Sequence, residues 1–396
     1  MSRQDDARPA PPAASPPQAA RAAARATMAQ FFINGATFAT WGVQIPAIKA
    51  RFAVSDASMS IAMLCVAAGA VLAMRGVGRW VASAGSGRAL TVSGLAYAAM
   101  LLAVPLAPAY AILLPVLLLF GMAMAAFDVS MNVQAATVEL ELGRPVMSTM
   151  HGMFSVGGMA GAALGGLLLS SGVSLAAHAG LAATATAAIA LAAASRLLAD
   201  AASPQNAPQD GAARIPRALW VLGVIAFLGL VCEGAMYDWA AIYMRDVAGT
   251  STGASGYGYA AFSLGMAAGR FGADPLRRRW PEQGILTASA WLGCAGITLA
   301  LLVPTPAGAL PGFLLMGLGV ANLMPFFFLA GTRLPGLSPA EGVAGVARFA
   351  YAGMLFGPPV IGAIAHQGSL RAGLAAVAVT MGWIALRGIR RIYRLA

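Results

Sequence analysis

The sequence predicts an all-α integral membrane fold of twelve transmembrane helices, arranged as two six-helix pseudo-repeats. Of its 396 residues, 59% are hydrophobic and only 10% are charged, whereas soluble domains carry about 25% charged residues. Twelve apolar stretches approach the ~20 residues that a membrane span requires. Each span must be a helix, because an open strand leaves backbone groups unpaired in hydrocarbon.

The sequence contains a repeat, with an offset of 196 residues for two motifs and of 199 residues for a third, in which Asn34-Gly35 recurs as Glu233-Gly234. Gly157, Gly161 and Gly166 recur as Gly353, Gly357 and Gly362, and the segment 117–121 recurs as 313–317. A long hydrophobic chain with two similar halves in the same order is typical of a parallel-repeat transporter.

The apolar stretches define the predicted domains. They begin near residues 27, 58, 89, 110, 147, 176, 218, 254, 284, 309, 342 and 370. We expect six-helix bundles over 27–198 and 218–390, joined by a cytoplasmic linker at 199–217. We also expect a disordered tail at 1–26, rich in Pro, Ala and Arg, and a short tail at 391–396.

The net charge of +11 follows from topology. Of 25 Lys and Arg residues, only Lys49, Arg51, Arg245 and Arg371 fall in loops on the side opposite the termini, and Arg270 and Arg348 lie within helices. This positive-inside bias puts both termini in the cytoplasm and predicts a multi-pass protein of the bacterial inner membrane. No folded basic domain indicates nucleic-acid binding.

The sequence offers little support for catalysis. Cys65, Cys232 and Cys294 are scattered within spans, which predicts packing rather than a disulfide framework or a metal site. No nucleotide-binding loop of the G-x-x-x-x-G-K-[ST] form occurs. We therefore predict no enzyme activity, no cofactor and no metal.

Ionisable residues inside spans are functional candidates by default, because a charge at the bilayer centre costs about 3 kcal/mol on insertion scales. Desolvation favours the neutral form of a carboxyl group, which allows a buried acid to exchange protons near neutral pH. Glu233, near the middle of span seven, is the main candidate for the proton or the substrate. Structural hydrogen bonding to a neighbouring helix is the alternative. Asp238 lies further out, and either transport or simple solvation at the outer mouth fits it.

Several motifs carry a resemblance to a known family. They are Ala-Thr-Trp at 39–41 with Ile-Pro-Ala-Ile-Lys at 45–49, Phe-Asp-Val-Ser-Met-Asn at 127–132, His-Gly-Met-Phe-Ser at 151–155 and Phe-Gly-Pro-Pro at 356–359. With the two like halves, they resemble a bacterial branch of the major facilitator superfamily with mostly unassigned substrates. The family signature of loop 2–3 is degenerate, with Ala82 and Ser83 where Asp and Arg are expected, but the second copy retains its acid as Asp274.

The resemblance implies that spans one, four, seven and ten line a central cavity. The expected substrate-binding residues on these spans are Asn34, Trp41, Asp128, Asn132, Glu233, Tyr237, Trp239 and Asn322, with Glu233, Asp128 and Asp238 as proton-coupling groups. Polar groups beside aromatic rings suit a sugar-like solute, and they also suit an amphiphilic cation.

A cytoplasmic gate is expected around His151, Arg348 and Asp274. Asp128, or its neighbourhood, would pair with Arg348 when the inner side closes. His151 would tune this pairing, since a histidine has a reference pKa of ~6.5. A purely local hydrogen bond of His151 is the alternative.

Together these features predict a monomeric secondary transporter that moves a small solute by alternating access, with protons as the coupling ion. Sugar-like uptake is slightly favoured. The alternatives are an efflux antiporter for drugs or metabolites, or a membrane sensor that kept the fold and lost transport.

Overall fold

The computed structural model describes residues 17–144, 146–199, 216–277, 279–331, 333–335, 337 and 339–394, and regular structure in these residues is entirely helical. The helices are α1 (Pro17–Phe52), α2 (Asp56–Ala84), α3 (Ser86–Leu106), α4 (Tyr110–Leu142), α5 (Met147–Ser170), α6 (Leu175–Ala194), α7 (Arg217–Asp246), α8 (Gly256–Arg277), α9 (Glu282–Leu302), α10 (Pro306–Val320), α11 (Leu323–Gly331), α12 (Pro339–Gln367), α13 (Leu370–Trp383), a π-helical turn (Ile384–Gly388) and α14 (Ile389–Tyr393).

Ten segments of the described chain are long and apolar enough to cross a membrane, which confirms the predicted helical membrane fold. α1 and α8, of 36 and 22 residues, are not among these ten. Both are long enough to span a ~30 Å hydrocarbon core at 1.5 Å per residue. They are less apolar because they carry polar side chains, including Gln30 and Asn34 in α1 and Arg270 in α8, which contact other helices rather than lipid.

The start of α1 corrects one prediction. Residues 17–26, expected to belong to a disordered tail, form the first turns of α1, and Ala20, Ala23 and Ala24 among them are buried. The cause is the alanine and arginine content, since both residues favour helices. Residues 1–16 and 200–215, which include most of the predicted tail and linker, lie outside the described residues.

The sequence repeat is also a repeat of helix contacts. A Cβ atom added at Gly121 would collide with the carbonyl oxygen of Val66, and one at Gly317 would collide with that of Phe262. Both partners of the second pair lie 196 residues beyond those of the first. The same relationship joins Gly69 to Leu118 and Gly265 to Leu314. Helix α2 therefore packs on α4 as α8 packs on α10, with glycines allowing backbones to approach closely.

The connection between α4 and α5 is tight. Gly143 ends α4 with φ of 61° and donates its N–H to the carbonyl of Glu139. The Glu139 carboxylate accepts the N–H groups of Val146 and Met147 at 2.7 and 2.9 Å, which satisfies the start of α5. A negative group at a helix N-terminus is favourable there. These contacts fix the register in which Asp128 and His151 approach the interior.

The two halves meet along several helices. α5 packs against α8, α2 packs against α12, and α1 contacts α7. At one end, called here the Lys49 end, the Lys49 ammonium lies 2.6 Å from Asp56 and 2.9 Å from Asp246. Arg245 also donates to the carbonyl of Pro46 across the halves. At this end the charged side chains close the interface between the halves.

Candidate functional site

A central cavity of about 180 Å³ lies where the halves meet. The first half contributes α1, α2, α4 and α5, and the second contributes α7 and α12. An apolar cavity of 150 Å³ is large enough for a benzene molecule, so the central cavity can hold one small ring. The polar and aromatic lining residues are Asn34, Phe38, Trp41, Asp128, Phe154, Tyr237, Asp238 and Tyr351.

Two carboxylates face this cavity. Asp128 on α4 and Asp238 on α7 are both half-buried, and they come from opposite halves. The described residues that line the cavity include no Lys, Arg or His. The cavity is thus an acidic site that can bind a proton, a cation or a hydrogen-bond donor.

The α1 wall carries an amide and aromatic rings. Asn34 is 2% exposed, its amide nitrogen lies 3.9 Å from the sulfur of Met131, and its Oδ1 has no partner among the described residues. Phe38 and Tyr237 pack edge to face at 5.7 Å between ring centroids. The buried Oδ1 of Asn34 is an acceptor that a bound solute could satisfy, since unpaired buried polar atoms are costly.

A second cavity of about 400 Å³, called here the Arg270 cavity, shares Tyr351 and Met354 with the first. Arg270 on α8 lies 3.4 Å from the Glu233 carboxylate on α7. Its other terminal nitrogen donates to the Ser155 hydroxyl at 2.8 Å and approaches the His151 carbonyl at 3.4 Å. One guanidinium therefore joins an acid of the second half to α5 of the first half.

Asn322 lies on the Arg270 cavity rather than on the central one. The predicted tenth span is broken into α10 and α11 at Ala321 and Asn322, and the Asn322 amide donates to the carbonyl of Gly269 at 3.1 Å. In this conformation the described residues of span ten line the adjoining Arg270 cavity and not the central one. α2, α5 and α12 line that cavity beside α1, α4 and α7.

The predicted gate residues lie apart. The His151 ring faces the Arg270 cavity and packs edge to face on Phe31 at 5.2 Å. Arg348 is exposed on α12, and no hydrogen bond or ion pair joins it to Asp128. The pairing of Asp128 with Arg348 is predicted for a state that is closed at the end opposite the Lys49 end, so it stays a prediction. The side chain of Asp274 lies outside the described residues.

Two further predicted site residues line neither cavity. Trp239 is fully buried, and its Nε1 has no partner among the described residues. Asn132 donates its amide N–H to the carbonyl of Asp128 one turn earlier at 2.9 Å, so the amide bonds to its own helix. Both share a helix with cavity residues but point to other surroundings.

Comparisons with known proteins fit this architecture. A family model described as Major Facilitator Superfamily matches residues 26–354. The chain is 33% identical to an uncharacterised MFS-type transporter of Yersinia pestis over 90% of this chain and 92% of the relative. It is 35% identical to the membrane protein MosC of Rhizobium meliloti over 88% of this chain and 86% of the relative. The chain belongs to the major facilitator superfamily.

Among solved structures, the fold of this superfamily member is similar to the nucleoside transporter NupG, with a TM-score of 0.75 at 13% identity over 94% of this chain and 99% of the other. Membership makes the chain a multi-pass membrane protein of a family of secondary transporters, which carry small solutes as single chains and are generally not enzymes.

Sequence reasoning about this superfamily member missed Arg270 as a site residue. Its position as a charge within an apolar stretch was visible, but its partners Glu233 and Ser155 are 37 and 115 residues away. It also missed the bridge from Lys49 to Asp246, whose residues are 197 apart. Such distant pairings do not follow from periodicity or composition.

Proposed function

We propose that the chain is a proton-coupled transporter for uptake of a small, sugar-like solute across the bacterial inner membrane. The observation that carries this proposal is the central cavity, which both halves line and which holds one carboxylate from each. The halves, 27–198 and 218–390, would rock about this cavity in alternating access. Amide, carboxylate and aromatic groups suit hydroxyl hydrogen bonds together with contact to a sugar's C–H face.

Positive-inside charge puts both termini in the cytoplasm, so the Lys49 end faces the outside in this proposal. The bridge from Lys49 to Asp246 would then be an outer seal, which must open to admit solute. At the opposite end, Asp128 and Arg348 would form the cytoplasmic gate, with His151 and Asp274 nearby. Closing that end would bring α4 and α12 together.

Glu233 would couple protons to these motions. As a carboxylate it attracts Arg270 at 3.4 Å, and protonation removes that attraction. Arg270 also donates a hydrogen bond to Ser155 on the opposite half. Protonation of Glu233 would therefore remove one of the charged partners of Arg270 and alter this contact between the halves. Asp128 and Asp238 are further proton sites, in direct contact with the solute cavity.

The test is a counterflow screen of sugars and polyols in proteoliposomes, with and without an inward proton gradient. We expect one solute to exchange in the wild type and to accumulate only with the gradient. Asp128→Asn and Asp238→Asn should each lower exchange at least tenfold, whereas Glu141→Gln, an exposed acid, should not. Exchange that survives both Asp substitutions would refute the assignment of the central cavity.

Efflux of an organic cation is the second candidate. It is favoured by two carboxylates and five aromatic side chains in a cavity whose described lining lacks a basic residue. A cation over an aromatic face gains about 0.5–2 kcal/mol. Uptake of a fluorescent organic cation into everted vesicles, abolished by Asp238→Asn, would replace the sugar proposal. Absence of flux for every solute class would instead favour the membrane sensor.

A further inference from the structure

A groove of about 840 Å³ lies at a corner of the first half, where α1 begins and α4 ends. None of its lining residues lines the central cavity or the Arg270 cavity. Its lining residues are Gln18, Arg21, Ala24, Arg25, Met28, Leu142 and Arg144. The positions on α1 are spaced three and four apart, so they share one helix face.

The groove is strongly basic. Arg21, Arg25 and Arg144 are all exposed. Like charges four apart on a helix repel by about 0.2–0.5 kcal/mol, so the repulsion between Arg21 and Arg25 offsets part of their intrinsic helix propensity. The acids at the end of α4 are Glu139, whose carboxylate binds two backbone N–H groups of the next helix, and Glu141. The described corner therefore has a net positive charge.

A second groove of about 450 Å³ lies on the other side of α1, against α6. Arg25 lines both grooves, and Arg196 also lines the second one. Its floor consists of alanines and Ile189. The basic charge thus extends around the first turns of α1 rather than sitting at one point.

The groove also changes from charged to apolar along its length. Met28 lies seven residues after Arg21, which is about 10 Å along the helix axis. With Leu142 it forms the apolar end of the groove, three residues beyond Arg25, whereas Ala24 lies between the two arginines of α1. A free anion would use only the arginines, whereas an amphiphile with an anionic head would use both parts.

We propose that this corner binds an anionic phospholipid, with the phosphate held by Arg21, Arg25 and Arg144. Arginine presents a planar fork of donors that matches phosphate oxygens, and basic pockets between helices at the membrane surface hold lipid head groups. The acyl chains would lie against Met28 and Leu142. A bound phosphate would also offset the repulsion among the arginines and fix the first turns of α1.

The experiment compares thermal unfolding and lipid retention in nanodiscs of phosphatidylcholine with and without phosphatidylglycerol. Phosphatidylglycerol should raise the wild-type unfolding temperature and should remain bound in native mass spectrometry. In the Arg21→Gln, Arg25→Gln, Arg144→Gln triple variant, apparent affinity should fall about a hundredfold, because each basic residue contributes on the order of fivefold. The single variant Arg144→Gln, on an exposed turn, should lose about fivefold and provides a test if the triple variant fails to fold.

A matched control removes the same charge from the last turns of the chain, with Arg387→Gln, Arg390→Gln and Arg394→Gln. It should retain the phosphatidylglycerol effect. An equal loss in both triple variants would show general surface attraction and overturn the site. No effect of phosphatidylglycerol on the wild type would overturn it too. Inorganic phosphate that reproduces the stabilisation in phosphatidylcholine nanodiscs would replace the lipid with a free anion.

Discussion

Arg270 of α8 donates a hydrogen bond of 2.8 Å to the hydroxyl of Ser155 on α5, across the interface between the two halves. The same guanidinium lies 3.4 Å from Glu233 on α7. Both side chains of that ion pair are largely buried, at 17% and 11% exposure. A hydrogen bond from a charged donor contributes about 1.5–3 kcal/mol, so this contact is strong enough to bias the arrangement of the halves.

Ser155→Ala should therefore favour opening of the interface between α5 and α8 near His151. The substitution removes the acceptor but keeps Arg270 and its acid, and we expect about a tenfold shift in the population. Spin labels at Leu140 and Trp280, which are 81% and 59% exposed, would report the separation at this end. Ser93→Ala is the control, because the Ser93 hydroxyl donates to the carbonyls of Ala89 and Leu90 in its own helix. Identical distance distributions in wild type and Ser155→Ala would contradict the prediction.

Glu233→Gln should separate exchange from accumulation. The amide keeps the shape of the side chain but neither carries the charge that attracts Arg270 nor binds a proton. We expect counterflow within about threefold of wild type, and at least a tenfold loss of solute-driven proton uptake, measured with a pH dye inside proteoliposomes. Glu141→Gln should leave both quantities unchanged. Retained proton uptake in Glu233→Gln would move the coupling role to Asp128 or Asp238.

Lys49→Gln should loosen the contact between the halves at the Lys49 end, because Lys49 bridges Asp56 on its own half and Asp246 on the other. The side chains of Lys49 and Asp246 are 14% and 31% exposed, so solvent screens the pair and its contribution should be about 1 kcal/mol. Spin labels at Ser171 and Ser251 should show about a fivefold larger open population.

Arg371→Gln is the control for this end, since Arg371 donates to Leu301 within the second half. High salt should reproduce part of the Lys49→Gln effect in the wild type, because it screens exposed charges. A double-mutant cycle with Asp246→Asn would isolate the pair. A coupling energy of zero would show that the bridge from Lys49 to Asp246 does not hold the Lys49 end closed.

Much of the fold follows from the sequence, because lipid allows few solutions. The predicted starts of the spans at 110, 147 and 370 coincide with the starts of α4, α5 and α13. Hydrophobic length sets these limits directly. The start of α1 was missed because an Ala- and Arg-rich segment resembles a polar tail in composition, although its helix propensity is high.

Only part of the candidate site could be predicted from the sequence. The sequence predicts Asp128 and Asp238 as site residues because an acid within an apolar run stands out, and both line the central cavity. The direction in which each side chain points depends on helix rotation and on kinks, which is why Trp239 and Asn132 lie elsewhere. The pairing of Arg270 with Ser155 depends on how the halves meet, and no local pattern encodes it.

The close helix contacts predict opposite effects for two alanine substitutions. A Cβ at Gly157 would collide with the carbonyl oxygen of Phe32, which is backbone and cannot rotate away, whereas a Cβ at Gly234 meets no atom within 4 Å. Gly157→Ala should destabilise by about 1–3 kcal/mol, the usual cost of overpacking. Gly234→Ala should be neutral or stabilising by up to ~1 kcal/mol, because alanine favours a helix over glycine.

Gly353→Ala extends this prediction to the second half. The glycine lies 196 residues after Gly157, and a Cβ there would collide with the carbonyl oxygen of Phe227. If the repeat in sequence is a repeat in packing, the two variants should lose comparable stability in thermal unfolding of the detergent-purified protein. Since each collision joins two helices of the same half, neither loss should depend on the state of the Lys49 bridge. Combining each variant with Lys49→Gln should give additive losses, and strong non-additivity would show that these glycines act at the interface between the halves.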